Sequence, residues 1–138
     1  MTDATLHRRE KLGGWLQLLS RLLLFWHPVI LAFALSSAMA ALGIRGMPLA
    51  ILLIARIIVT GIGVAAGMAI VRRLPGAATF AQVALALSAS MDLFVYLTPI
   101  FPHNRMPGDT PFYVAASLSY HAAWILYLRR SRRVRETL

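Results

Sequence analysis

Apolar residues in this chain come in four long runs, not in short alternating or amphipathic stretches. The runs cover approximately residues 22–43, 48–71, 78–101 and 111–128. Each supplies about 20 residues, the length a helix needs to cross ~30 Å of hydrocarbon. Backbone N–H and C=O groups find no water in lipid, so a spanning segment is either a helix or part of a closed barrel. None of the runs alternates with period 2, which leaves helices. The pattern therefore predicts an all-α fold, a four-helix transmembrane bundle forming a single integral membrane domain over residues 1–138.

A short helix is expected ahead of the first run. Residues 1–11 are polar, and from Leu12 onward Gln17, Ser20 and Arg21 fall on one face of a leucine-rich stretch bounded by Trp15 and Trp26. Such a stretch suits the headgroup level, where tryptophan rings concentrate. A straight helix from Leu12 to Gly43 would run about 48 Å, too long for the hydrocarbon core. Pro28 lacks an amide donor and crowds the preceding turn, so a bend is expected there. Ala38-Met39-Ala40 resembles a signal-peptidase site. The apolar stretch before it exceeds the usual 7–15 residues, so a retained span is the preferred reading.

Charge placement orients the bundle. Of the 14 basic residues, Arg8, Arg9, Lys11, Arg21, Arg72, Arg73, Arg129, Arg130, Arg132, Arg133 and Arg135 flank the runs on one side. The opposite loops hold Arg45 and Arg105, the latter offset by Asp109, and Arg56 falls inside a run. Cationic residues gather on the cytoplasmic side, so both termini and the 72–76 turn are expected there. The placement implied is multi-pass, with both termini cytoplasmic. A net charge of +9 is thereby topogenic, and no nucleic-acid partner is expected. The basic tail is expected to rest on anionic membrane lipids. Without cysteine there is no disulfide, thiolate metal site or iron–sulfur cluster.

Two charged residues lie at membrane depth, where such groups are rare and face the bundle interior. Arg56 follows Met47 by nine residues and Asp92 precedes Phe101 by nine, so on antiparallel neighbours both sit roughly 13 Å below the outer surface. A pair is expected, because each charge compensates the other. Ser88, Asp92 and Tyr96 share a face of the third helix, and Ser117, His121 and Trp124 a face of the fourth. Arg56, Asp92, His121 and Tyr96, with Ser36 or Ser37, then form a polar layer. It serves either as a register lock or as a ligand or proton-relay site. Gly63-x-x-x-Gly67, on the face that carries Arg56 and Thr60, admits a close neighbouring helix.

The remaining motifs add little chemistry. His27 and His121 are the intramembrane candidates for axial haem ligands, but Trp26-His27-Pro28 reads better as an interfacial anchor, and no cofactor or metal is expected. Nucleophile triads, H-E-x-x-H and phosphate-cradling glycine loops do not occur, so no enzymatic activity is expected. The segment from Pro99 to Pro111, with four prolines, reads as a rigid connector.

Two terminal motifs carry a resemblance. Gly13-Gly14-Trp15-Leu16 with Pro28 downstream, and Tyr127-x-x-x-Ser131-x-Arg133-Val134-x-x-Thr137 at the end, resemble a bacterial family of small four-span membrane proteins of unknown function. In that family a phenylalanine typically follows the last motif, where this chain has Leu138. The resemblance implies an inner-membrane location and carries over no catalytic residue. The small-residue faces at Gly63/Gly67 and 36–41 lead to an expected role as a non-enzymatic membrane protein that associates through its helices with itself or a larger complex. The alternative is a small oligomeric transporter or proton-coupled carrier that uses Arg56, Asp92 and His121.

Overall fold

A computed structural model describes residues 12–103 and 105–138, and among them there is helix but no strand. Arg8, Arg9 and Lys11 lie outside the described residues. Helix α1 (Gly14–Arg21) passes through a π-helical turn (Leu22–Trp26) into the long α2 (His27–Val71). Helices α3 (Ala77–Leu97), α4 (Thr110–Arg130) and a short α5 (Arg132–Thr137) follow. Where a bend was expected at Pro28, the chain stays helical and passes through a π turn just before it. Without an N–H at Pro28 the carbonyl of Leu24 loses its i+4 donor, and the ladder resets so that His27 N–H reaches back to Leu22 O.

Helix α2 is two helices in one. Gly46 adopts φ 61° and ψ −143°, a conformation that side-chain-bearing residues avoid, and separates a first limb (27–45) from a second (48–71). Arg45, at the break, donates from Nη1 to the carbonyls of Pro99 and Ile100. Its charge thus fastens the turn beyond α3 as well as marking a loop. At the other end of the second limb, Arg73 N–H bonds Ile70 O and Leu74 N–H bonds Ala69 O, closing the helix with Arg73 at φ 54°. The third apolar run was expected to stay helical to residue 101. Helix α3 instead ends at Leu97, because Pro99 drives Thr98 into extended geometry (φ −110°, ψ 147°).

The end of the bundle nearest the basic clusters is tightly packed. Leu16, Leu19 and Leu23 are fully buried against Ala66, Ile70, Ala81 and Leu85, with Leu128 and Val134 completing the cluster. This changes the picture of the N-terminal helix. Helix α1 contributes core side chains to the bundle and does not stand apart from it, and Ser20, expected on its polar face, is buried with its hydroxyl donating to Gln17 O at 2.8 Å. Gln17 and Arg21 do face outward. Helix α5 folds back on the same end: Val134 joins the leucines, and Arg133 covers Gly13 so closely that a Cβ there would lie 2.6 Å from its Cδ. The two terminal motifs therefore meet in space.

The outside of the bundle is apolar. Phe25, Phe33, Ile54, Ile58, Phe94 and Leu97 are all exposed. Two stretches, Gly14–Val71 and Ala77–Leu97, are long and apolar enough to cross a membrane, the first being broken at Gly46.

A candidate ligand site: the Arg56–Asp92–His121 layer

Halfway along the bundle the second limb, α3 and α4 turn their polar residues toward one another. Arg56 Nη2 lies 3.7 Å from Asp92 Oδ1, the pair expected from the depth count, with both side chains four-fifths buried (16% and 21% exposed). The guanidinium also stands 5.6 Å from the centroid of the Phe101 ring, an aromatic face that stabilises a partly desolvated cation. Asp92 Oδ2 accepts the Ser117 hydroxyl at 2.9 Å. One oxygen thus faces a cation and the other a hydroxyl donor, an arrangement that offsets the desolvation of a carboxylate.

Helix geometry continues the network one turn further along α4. His121 Nδ1 lies 2.8 Å from the Ser117 carbonyl and 3.4 Å from Ser117 Oγ. A carbonyl only accepts, so Nδ1 carries the proton and donates, leaning also toward the hydroxyl oxygen. His121 is 3% exposed, and among the described residues its Nε2 has no hydrogen-bonding partner.

These groups line one partly open cavity of about 250 Å³. Arg56, Asp92, His121 and Tyr96 all reach it, as do Thr60, Ser88 and Ser117. Ser36 and Ser37 do not: both face outward, and Ser37 bonds Phe33 O within its own helix. Trp124 turns toward the basic end, edge-on to Trp15 at 6.2 Å. His27 is turned inward, against its expected role as an interfacial anchor. It lines the cavity with its ring 6.4 Å from that of Tyr120. The two histidines share the space. No group of three or more His, Cys, Asp or Glu able to hold a metal occurs among the described residues.

Several members were not legible in the sequence. Tyr113 and Tyr120 line the cavity, yet within an apolar run they resemble interfacial aromatics. Arg105 comes from the loop before α4 and lies over the rings of Tyr96 (4.9 Å) and Tyr113 (5.7 Å), with a buried Nη1. Its charge was counted as offset by that of Asp109, and no local signal placed it on the tyrosines.

The glycine face has a definite partner. A Cβ at Gly67 would lie 3.0 Å from Leu24 Cγ and 3.1 Å from Leu23 Cβ, and one at Gly63 would lie 3.8 Å from His27 Nδ1. The small residues therefore seat the π turn of the same chain. Comparison with protein-family models, curated proteins and solved structures gives no match.

Proposed function

We propose that the chain is a non-enzymatic, multi-pass protein of the bacterial inner membrane, with four spans and both termini cytoplasmic. In this reading the Arg56–Asp92–His121 layer binds a small ligand as the site of a carrier. The apolar exterior supports membrane residence, because soluble monomers rarely expose so many large apolar side chains together. The two limbs of α2 supply two spans and α3 a third. Helix α4 is the fourth: 21 residues reach ~31 Å, and Ser117 and His121, which lower its hydropathy, face the cavity.

One observation carries the ligand reading: a cavity exists exactly where the charges meet. A register lock alone would be expected to close around its ion pair. The association reading loses part of its basis because Gly63 and Gly67 are occupied within the chain. It keeps the outward-facing Ser36, Ser37 and Ala40 on the first limb as a surface for a second copy or a membrane partner. A carrier of this size would operate as an oligomer.

Purification from native membranes followed by native mass spectrometry tests the proposal. Wild-type protein should retain a small-molecule adduct that Asp92→Asn loses. Bare wild-type protein, with Asp92→Asn lowering only the thermal midpoint in detergent, would reduce the layer to a structural lock.

A further inference from the structure

At the basic end of the bundle the chain turns back on itself. Ser131, at φ −69° and ψ 119°, ends α4 and starts α5, so that this six-residue helix folds back beside the start of α3. A cavity of about 410 Å³ lies between the first turns of α3, the end of α4 and α5. Its floor is apolar: Leu128 and Val134, 2% and 1% exposed, belong to the packed leucine cluster. Its rim is polar, with Thr79 and Gln82 from α3, Arg129 from α4 and Arg135 from α5.

Both arginines are placed by the core. Arg129 directly follows the buried Leu128 and Arg135 directly follows the buried Val134, so packing fixes the backbone from which each guanidinium reaches the cavity. Among the described residues no carboxylate, that of Glu136 included, forms an ion pair with either. Two like charges on one cavity repel, and an anion seated between them removes the repulsion. The planar guanidinium fork matches the paired oxygens of a phosphate. Thr79 and Gln82 both donate and accept, so they add hydrogen bonds to the phosphate or to a hydroxyl beside it. The apolar floor suits carbon and not a bare ion. In the four-span reading this end of α3 and α4 stands at the cytoplasmic surface, at the level of lipid phosphates.

We infer that this cavity holds the phosphodiester of an anionic phospholipid of the cytoplasmic leaflet, between Arg129 and Arg135, with its glycerol carbons over Leu128 and Val134. The inference rests on membrane residence with this end inside, and is independent of any ligand in the Arg56–Asp92–His121 layer. It is more specific than a basic tail on a charged surface. Of the five arginines between 129 and 135, the two on the cavity select the lipid, and Arg130 and Arg132 do not line it. A headgroup that carries an ammonium brings a cation to these two arginines and is disfavoured.

The test titrates the full chain, in non-ionic detergent and freed of native lipid, with an equimolar mixture of phosphatidylglycerol and phosphatidylcholine of the same acyl chains. Native mass spectrometry reads the first lipid adduct, in which phosphatidylglycerol should be enriched at least about tenfold. Arg129→Gln/Arg135→Gln should bring the two lipids to near equality. Arg130→Gln/Arg132→Gln removes the same charge from outside the cavity and should keep the preference. All four side chains are exposed, so both variants are expected to fold. Should the first fail to, Arg135→Gln alone takes its place, with a partial loss expected. Equal loss in both double variants would show that net charge selects and not the cavity, and no preference in the wild type would show no anionic site; either overturns the inference. Displacement of the lipid by inorganic phosphate at the same concentration would assign the cavity to a soluble anion and overturn it too. Recovery of the chain in the soluble fraction would instead sink the membrane reading, so the two failures are distinct.

Discussion

At the basic end of the bundle, Leu16, Leu19 and Leu23 have no exposed surface and pack on alanines from the second limb and α3, with Gly67 letting the π turn approach. Halfway along, Arg56, Asp92 and His121 line a cavity. The difference is one of side-chain size and hydrogen-bonding demand. Glycine and alanine allow backbones to meet, so dispersion contacts are dense. A guanidinium, a carboxylate and an imidazole need hydrogen-bonding or ionic partners when buried. The leucine cluster holds one end together, and the polar middle is the ligand site only in the reading proposed above.

The largest predicted effect comes from the open region. Asp92→Leu leaves Arg56 without its counter-charge, so unfolding in detergent should show a loss of about 3–5 kcal/mol. Arg56→Leu/Asp92→Leu should regain most of it. If the double variant is as unstable as the single, the ion pair is not the reason for the loss. The closed end should respond next. Gly67→Val drives a branched side chain into Leu23 and Leu24, and a loss of about 1–3 kcal/mol is expected by the same measurement. A smaller effect belongs to the link between α3 and α4. Ser117→Ala removes the hydroxyl that Asp92 accepts and should cost about 1 kcal/mol, with the His121 ring less firmly held as read from its NMR line widths. The smallest effect sharpens the boundary between the two regions. Gly63→Ala meets its nearest neighbour at 3.8 Å, so stability should stay within about 0.5 kcal/mol or rise slightly through helix propensity. A loss at Gly63 equal to that at Gly67 would mean that the closed packing extends into the polar layer.

Hydrophobic run length was enough to place the second limb at 48–71 and α4 within two residues of its ends. The Arg56–Asp92 pair was legible because two antiparallel helices joined by a short turn share a depth scale, and counting from a common end finds matching charges. Rotation about each helix axis is different. Whether Tyr113 or Ser36 faces inward depends on where neighbouring helices stand, and an apolar run in a membrane carries little amphipathic signal to set it. The same limit applies to Gly63 and Gly67. Their spacing announces a close neighbour, but only packing shows that it is the π turn of the same chain and not another copy. Arg105 was missed for a third reason: a long loop returned it to Tyr96 and Tyr113.

The claim beneath the whole account is that the tight, basic end lies in the cytoplasm and the Arg105 loop lies outside, with the cavity held in the bilayer between them. The chain has no cysteine, so single Met106→Cys and Arg132→Cys variants report position without background. Spheroplasts treated with a membrane-impermeant maleimide should label Met106→Cys while intact and Arg132→Cys only after lysis. Labelling of Arg132→Cys in intact spheroplasts, or recovery of either variant in the soluble fraction, would contradict it.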